Sequence, residues 1–394
     1  MSESALVVWD DEFTSYDFGP AHPLNPLRLE LTVELARDFG VLSRANVTVD
    51  KPERASDNLV EKMHDTGYVA AVRRAGETLH GDLTYQLGTG DNPVFAQMHE
   101  ASALVVGASV QAANAVWSGR AEHAVNIAGG LHHAMRDHAW GFCVYNDPAV
   151  AIIELLEAGA NKVAYVDVDA HHGDGVQTAF YDDPRVLTIS LHETGRVLFP
   201  GTGFPHETGS GDADGTAVNV ALPPGTNDGG WLRAFHAVVP PLVRAFGPEI
   251  LVTQHGCDSH VLDPLTHLAK TVDGQRSTYA ALHALSHEVT NGRWVAMGGG
   301  GYELVRVVPR AWTHLLAELT GEPIEATRNT PDSWRDRAKT RGGETAPQTM
   351  TDGSDASYEP FSGATAQLAN PVDDAIARTR KAVFARHGLD PDIP

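Results

Sequence analysis

Short apolar runs alternate along this chain with amphipathic stretches, which indicates strands connected by helices. Six apolar runs of strand length are bounded by turn residues and lie at 5–10, 123–128, 163–168, 186–191, 249–254 and 293–297. Apolar positions at helical spacing predict helices over 28–39, 58–64, 98–117, 148–159, 174–181, 230–246, 274–290 and 303–320. Because the strands are almost continuously apolar, we expect a parallel sheet with helices on both faces.

Two segments lack this periodicity. Residues 200–230 are rich in Gly and Pro, and their length predicts a functional loop rather than an ordinary connection. Residues 339–369 are rich in Gly, Thr, Ser and Asp and are predicted to form a second loop, which precedes a helix in DDAIARTRKAVFARHG. We therefore expect a main domain over 1–325 and a C-terminal extension over 326–394 that packs on it.

Composition limits the classes of function. The 394 residues carry a net charge of −22 with neutral histidines, which argues against partners such as nucleic acid or an anionic membrane. Cys143 and Cys257 belong to no CxxC pair, so a thiolate zinc site is not expected and a reducing compartment fits. Neither a signal peptide nor a transmembrane stretch is recognisable, so we expect a cytoplasmic protein. The oligomeric state is left open.

The densest cluster of polar side chains follows the apolar run at 163–166. The segment DVDAHHGDG, residues 167–175, places three carboxylates and two imidazoles within eight positions. Because side chains alternate along a strand, we expect Asp167, Asp169 and His171 to share one face. Buried charges are costly unless they are paired or bind a metal, so this pattern favours a divalent ion. The alternative is a hydrogen-bonded strand end with a surface turn.

Polar residues also follow the other strands. The pair His132–His133 comes after 123–128, Asp258 comes after 249–254, and Tyr302 comes after the four glycines that end 293–297. Since sites in open α/β sheets lie at the carboxyl ends of the strands, we expect these residues to converge. Taken singly, each has a structural explanation, such as a polar turn, a helix cap or a glycine turn.

Seven motifs, taken together and in order, resemble the zinc-dependent histone deacetylase superfamily. They are HPLNPLR at 22–28, GGLHHA at 129–134, GFCVYND at 141–147, VDVDAHHGDG at 166–175, FPGTG at 199–203, GCDSHVLDP at 256–264 and GGGGY at 298–302. An ordered match of several parts is much more specific than one motif. Within the superfamily, the chain is most similar to the bacterial acetoin-utilisation deacetylases. The resemblance covers about residues 5–320 and implies the α/β arginase–deacetylase fold, with about eight parallel strands between helical layers.

The resemblance also implies an activity, the metal-dependent hydrolysis of acyl-lysine amides with release of acetate. Asp169, His171 and Asp258 match the family's zinc ligands, and three ligands leave an open position for water and substrate. Ferrous iron is an alternative metal. Five further residues are implied to be catalytic, namely the general base His133, its neighbour His132, their carboxylate partners Asp174 and Asp167, and the carbonyl-polarising hydroxyl of Tyr302.

Further roles follow from the same resemblance. Substrate-binding positions are matched by the rim carboxylate Asp91, the tunnel residues Gly141, Phe142 and Phe199, the rim residue Leu265, and Gly300. Arg28 matches an arginine beside the acetate exit path. A structural potassium site is matched by Asp167, Asp169, His171, Ser190 and Leu191, and a second monovalent site is implied near Phe180 and Val186.

Several functions remain open at this stage. The partner is expected to be an acylated lysine of a protein or an acetylated amine, and Leu265 favours lysine because polyamine-preferring relatives have a glutamate there. A deacetylase of polyamines or other small amides is the first alternative. A non-catalytic acyl-lysine binding module is another, although every catalytic position is filled. An arginase-like enzyme with two manganese ions would need carboxylates where Gly173 and His260 stand, so we expect one metal.

Overall fold

The computed structural model describes residues 3–363 and 370–393, and its centre is an eight-stranded sheet. The strands are β1 (Ala5–Val8), β2 (Val47–Asp50), β3 (His123–Asn126), β4 (Val163–Asp167), β5 (Val186–Glu193), β6 (Ala217–Leu222), β7 (Ile250–Gln254) and β8 (Trp294–Met297). Their order across the sheet is β2-β1-β3-β8-β7-β4-β5-β6, and every neighbouring pair is parallel. The predicted α/β architecture with about eight parallel strands is confirmed.

Helices cover the sheet and connect its strands. They are α1 (Leu27–Asp38), α2 (Asp57–Val60), α3 (Thr66–Thr78), α4 (Met98–Trp117), α5 (Asp147–Glu157), α6 (Asp174–Ala179), α7 (Asp228–Phe246), α8 (Val272–Thr290), α9 (Val308–Glu318), α10 (Asp332–Gly342) and α11 (Pro371–Val383). Polar side chains fix several of their starts. Asn146 accepts from the Ala149 N–H to begin α5, and Thr271 accepts from Gly274 to begin α8.

The central strands are apolar because both of their faces are covered. Every residue of β3, β4, β5, β7 and β8 is buried, as expected for a sheet between two helical layers. The six predicted strands correspond to β1, β3, β4, β5, β7 and β8. In particular, β3 and β7 lie on either side of β8, and β7 also pairs with β4. The carboxyl ends of these four strands therefore meet at one place.

The prediction of a loop over all of 200–230 is wrong. Residues 217–222 form β6, which pairs with β5 at one edge of the sheet, and α7 already starts at Asp228. The Gly- and Pro-rich flanks hid the strand, although its side chains are nearly all buried. The opposite edge strand β2 was also missed, because its residues are half-buried or exposed and lack an apolar run. Two helices, α3 and α10, were missed as well.

The C-terminal extension lies against the rest of the chain. The Trp334 indole on α10 donates to the Leu31 carbonyl at 2.9 Å. Arg310 forms an ion pair with Asp352 at 2.7 Å, and Arg380 on α11 donates to the Ala237 carbonyl at 3.1 Å. The predicted loop at 339–369 begins only after Gly342, and its residues 364–369 lie outside the described part. The division at residue 325 stays a prediction.

Candidate active site

Two carboxylates and an imidazole meet beyond the carboxyl ends of β4 and β7. The Nδ1 of His171 lies 3.1 Å from Asp169 Oδ1 and 2.9 Å from Asp258 Oδ2. One ligand atom from each residue lies within 4.8 Å of the other two. The side chains are buried, with exposures of 1% for Asp169, 7% for His171 and 0% for Asp258. This set of oxygen and nitrogen donors fits one divalent ion such as zinc.

Backbone and amide groups hold the carboxylates of this triad in place. Asp169 Oδ2 accepts from the Gln254 side chain and from the Gly300 N–H, both at 2.8 Å. Asp258 Oδ1 accepts from the Ala170 N–H at 2.8 Å. A Cβ atom on Gly300 would overlap Asp258 Oδ2, so only glycine allows this close approach. Such outer bonds orient metal ligands. Gln254 was not predicted as a site residue, because nothing in its local sequence distinguishes it from an ordinary strand residue.

The charges of the triad are strongly perturbed. Burial and the neighbouring Asp169 raise the pKa of Asp258 to about 8. Burial lowers the pKa of His171, but hydrogen bonds to Asp169 and Asp258 outweigh it and hold the pKa well above the usual value. A divalent cation bound by these three side chains would therefore displace protons from two of them at neutral pH.

A pair of histidines lies beside the triad in the loop after β3. The Nε2 atoms of His132 and His133 are 3.0 Å apart. The Nδ1 of His132 donates to Asp167 Oδ2 at 2.7 Å, and the Nδ1 of His133 donates to Asp174 Oδ1 at 2.6 Å. Carboxylates at the far ring nitrogens fix which nitrogen carries the proton.

The two histidines differ in charge. Burial lowers the pKa of His132, but Asp167 and the nearby carboxylates outweigh it and raise the pKa to about 9. For His133, burial and the positive charges of His132 and His171 hold the pKa well below its usual value. At neutral pH the pair therefore consists of a protonated His132 and a neutral His133, which is the state that a general base requires.

The expected alternation along DVDAHHGDG is not observed. Strand β4 ends at Asp167, so Asp169 and His171 belong to a turn where strand alternation no longer applies. Asp167 is not part of the triad, and its Oδ2 accepts from His132 and from the Tyr165 hydroxyl, each at 2.7 Å. Asp169 and His171 converge instead with Asp258, which comes from the neighbouring strand end.

A cavity of about 200 Å³ leads from the surface to the triad. Its lining residues are Asp91, His133, Gly141, Phe142, His171, Leu198, Phe199, Leu265 and Tyr302. The Phe199 ring lies 5.1 Å from the His133 ring, and the Phe142 ring meets Tyr302 edge-on at 5.7 Å. A Cβ on Gly141 would lie 2.6 Å from His133 and 2.7 Å from Phe199, so a larger residue would narrow the cavity.

A buried cation lies behind the glycine loop that precedes Tyr302. Arg28 donates to the Gly299 carbonyl at 2.7 Å and to the Gly301 carbonyl at 3.2 Å, and it packs 5.0 Å from the Trp312 ring centre. It also lines a second cavity of about 20 Å³, which has room for about one water molecule. The structure thus places Arg28 on the inner side of the site.

Comparisons with known proteins agree with this geometry. The model of the histone deacetylase domain matches residues 22–319. The chain belongs to the histone deacetylase family. It is 41% identical to the acetoin utilization protein AcuC of Bacillus subtilis (strain 168), and the match covers 84% of this chain and 85% of that protein. It is 37% identical to AcuC of Staphylococcus xylosus, with coverage of 85% of this chain and 87% of that protein.

Solved structures of the same family have the same fold. One is a histone deacetylase homologue from Aquifex aeolicus, with a TM-score of 0.82, 27% identity, and coverage of 96% of this chain and 100% of that chain. Another homologue, solved as a complex with SAHA, has a TM-score of 0.79 and 29% identity, and the match covers 89% of this chain and 95% of that chain. The predicted membership of this family and the arginase–deacetylase fold are confirmed.

Three of the residues expected around a potassium ion, Asp167, Ser190 and Leu191, lie on two paired strands, and Asp169 and His171 lie in the turn after β4. Asp167 on β4 is the register partner of Ser190 on β5, and Leu191 follows it. The Ser190 hydroxyl lies 2.8 Å from His192 Nδ1. Near the second expected site, the Asp183 N–H donates to Phe180 and its carbonyl accepts from Val186. Both monovalent ions stay predictions.

Gly173 and His260 stand where an arginase-like enzyme would need carboxylates, and the structure shows what surrounds each of them. A Cβ on Gly173 would overlap Asp167 Oδ2, so the loop has no room there for a carboxylate. The His260 side chain contacts a residue outside the triad, since its Nε2 lies 2.9 Å from Asp352 Oδ2. His172 also lies apart, bonded to Thr202 at 2.8 Å and to Gln177 at 3.1 Å. These contacts favour a single ion at this site.

Sequence reasoning missed the residues that hold the histidine loop. The Asn146 side chain donates to the carbonyls of His132 and Ala134 at 3.2 and 3.0 Å. The Asp147 carboxylate accepts from the N–H groups of Gly130 and Leu131 at 3.0 and 2.9 Å. Both residues lie in the motif GFCVYND and could have been noticed as buried polar groups before an apolar helix.

In the part of the chain that the structure describes, no helix has both the length and the apolar character that a bilayer crossing requires.

Proposed function

We propose that this chain hydrolyses acyl-lysine amides and releases acetate from acetyl-lysine. The observation that carries this proposal is the single cavity that His171, His133 and Tyr302 line together. A metal ligand, a neutral imidazole and a phenol around one point are the groups that amide hydrolysis needs.

Asp169, His171 and Asp258 are the side chains that would hold a divalent ion, as zinc or ferrous iron. Such an ion polarises the acyl carbonyl and makes a water molecule a better nucleophile at neutral pH. The carboxylates of Asp169 and Asp258 would balance the charge of a divalent ion, so a separate base remains useful. The metal content of the purified protein distinguishes zinc from ferrous iron.

His133 is the proposed base. Its Nδ1 donates to Asp174, so its Nε2 carries the lone pair that takes the proton from the attacking water. Burial and the charged His132 hold the pKa of His133 well below its usual value, so the imidazole is neutral until then. As the carbon–nitrogen bond breaks, His133 returns the proton to the amine nitrogen, and acetate forms from the acyl group and the water oxygen.

Tyr302 is proposed to stabilise the negative charge that develops on the acyl oxygen. Burial and the nearby carboxylates Asp258 and Asp169 raise the pKa of its hydroxyl well above the usual value, so it remains a hydrogen-bond donor. Gly299 and Gly301, with φ of 137° and 135°, allow the loop to bring Tyr302 to the cavity. Arg28, behind this loop, is proposed to attract the acetate that leaves.

The walls of the cavity suit a long aliphatic stem. Phe142 and Phe199 line it together, and Leu265 lines it beside the exposed Asp91. Aromatic walls bury a lysine stem well, and a rim carboxylate accepts from backbone N–H groups of a peptide. Leu265 supplies no charge for the second ammonium of an acetylated polyamine, so a lysine side chain is the favoured substrate.

An activity screen tests the proposal. Acetyl-lysine peptides, longer acyl-lysine peptides and acetylated polyamines are offered to the protein after its metal content has been measured. We expect acetate release from the peptides and inhibition by SAHA. Faster turnover of the polyamines would assign the alternative substrate class, and binding without turnover by a fully metallated protein would favour a binding module.

A further inference from the structure

A second cluster of possible metal ligands lies at the amino ends of strands β1 and β3. It consists of Glu3, His123, His283 and His287, and one ligand atom from each lies within 4.8 Å of the other three. His123 is the first residue of β3, whereas His132 and His133 follow the other end of that strand. His283 and His287 are one turn apart on α8, and Glu3 precedes β1. The cluster is thus separate from the candidate active site.

Several distances within this cluster are close to those between the ligands of a tetrahedral ion. A zinc ion about 2.0 Å from each nitrogen or oxygen ligand keeps those ligands about 3.3 Å apart. Glu3 Oε2 lies 3.2 Å from His283 Nε2 and 3.7 Å from His123 Nε2, and Glu3 Oε1 lies 3.2 Å from His287 Nε2. The Nε2 atoms of His283 and His287 are 3.1 Å apart. One donor atom from each of the four residues lies within 4.8 Å of the other three, so a single ion can reach all four residues.

The hydrogen bonding of the cluster is incomplete without a cation. His123 is fully buried, and neither of its ring nitrogens has a hydrogen-bond partner among the residues that the structure describes. Within the same residues, Glu3 Oε2 accepts no hydrogen bond, although two imidazoles lie near it. An unpaired buried imidazole and carboxylate oxygen are costly. A bound metal would provide a partner for His123 Nε2 and for Glu3 Oε2.

The outer contacts are also those of a metal site. His283 Nδ1 lies 3.1 Å from Glu318 Oε1, and His287 Nδ1 lies 3.7 Å from Glu122 Oε1. Metal-bound histidines usually donate their other ring N–H to a carboxylate, which orients the ring and increases its basicity. In both residues, Nδ1 points to the outer carboxylate and Nε2 points into the cluster. The carboxylates also provide negative charge for a divalent ion.

We propose that Glu3, His123, His283 and His287 bind a structural transition-metal ion, with zinc as the preferred occupant. Four protein ligands leave no open position, which is typical of structural rather than catalytic zinc. The three imidazoles favour zinc, cobalt or nickel over magnesium or calcium. The ion joins the segment before β1 to β3 and α8, so its effect is on stability. This proposal is independent of the proposed deacetylase activity.

Metal counting on the untagged full chain tests the site. His287 is one-third exposed, so His287→Gln removes a ligand with little disturbance of the core. We expect one equivalent of zinc fewer per chain in His287→Gln than in wild type, after equilibration with zinc and dialysis. His80→Gln is the matched control, because His80 is exposed and bonds only within its own turn. Equal zinc content in wild type and His287→Gln would overturn the proposal.

A second measurement separates this site from the catalytic one. In Asp258→Asn, which lacks a ligand of the active-site triad, added zinc should still raise the midpoint of thermal unfolding. In Asp258→Asn combined with His287→Gln, zinc should leave the midpoint unchanged. If zinc shifts both variants equally, the metal binds elsewhere and the proposal fails. These readouts do not depend on turnover, so an inactive protein would not affect their outcome.

Discussion

Replacement of Tyr302 by phenylalanine tests the proposed chemistry by removing a single oxygen atom, that of the hydroxyl. The ring and its edge contact with Phe142 at 5.7 Å remain, and so does the bond from the Tyr302 N–H to Asp263 at 2.9 Å. Only the hydroxyl that should bind the developing oxyanion is lost. Removal of one such donor typically lowers kcat by about 10²–10³-fold, which corresponds to about 2.7–4 kcal/mol. We therefore expect this loss in kcat with little change in KM.

The assay is the release of acetate from an acetyl-lysine peptide by protein of measured metal content. Tyr302 is not a metal ligand, so the variant should bind as much metal as wild type and unfold at the same temperature. Because the raised pKa keeps the phenol protonated, the ratio of the two rates should stay constant from about pH 6 to about pH 9. Tyr358→Phe, at an exposed position, is the control. Wild-type kcat in Tyr302→Phe would refute the role of the hydroxyl.

Three further predictions concern the metal, the rim and the loop. His171 and Asp258, the latter with a pKa of about 8, must lose their protons when a divalent ion binds. The affinity for zinc should therefore fall as the pH decreases from about 8 to about 6. A zinc affinity that does not change with pH in a chelator competition would contradict this. Leu265→Glu should raise kcat/KM for acetylated polyamines several-fold, since a half-exposed ion pair contributes at most about 1 kcal/mol. If kcat/KM for polyamines relative to the peptide substrate does not change, residue 265 does not contact the polyamine. Gly173→Ala should lower the free energy of unfolding by about 1–3 kcal/mol in urea titrations, because its Cβ would overlap Asp167; wild-type stability would show that the loop can move aside.

The central part of the fold could be predicted because its physical signals are local. Strands such as β4 and β7 are buried on both faces and are therefore apolar throughout. The edge strand β2 carries no such signal, since solvent covers part of it. Strand β6 is buried, but glycines and prolines surround it, and its pairing with β5 is a tertiary contact that local periodicity does not reveal.

The candidate site was predictable for a different reason. Its residues lie at successive strand ends, and a parallel sheet brings such ends together. The orientation of each side chain was not predictable, because β4 ends at Asp167 and the following turn directs Asp169 and His171. The second cluster had a weak signal in the two histidines on α8, four residues apart. Its other ligands, Glu3 and His123, join them only through the fold.

The central claim is that the triad of Asp169, His171 and Asp258 makes this chain a metal-dependent amide hydrolase. The most direct measurement is the rate of acetate release from an acetyl-lysine peptide as zinc is returned to chelator-stripped protein. His287→Gln is the suitable background, since it removes the second proposed site. We predict no turnover without metal and full recovery at about one equivalent. Full turnover by the stripped protein, or none after one equivalent has bound, would contradict the account.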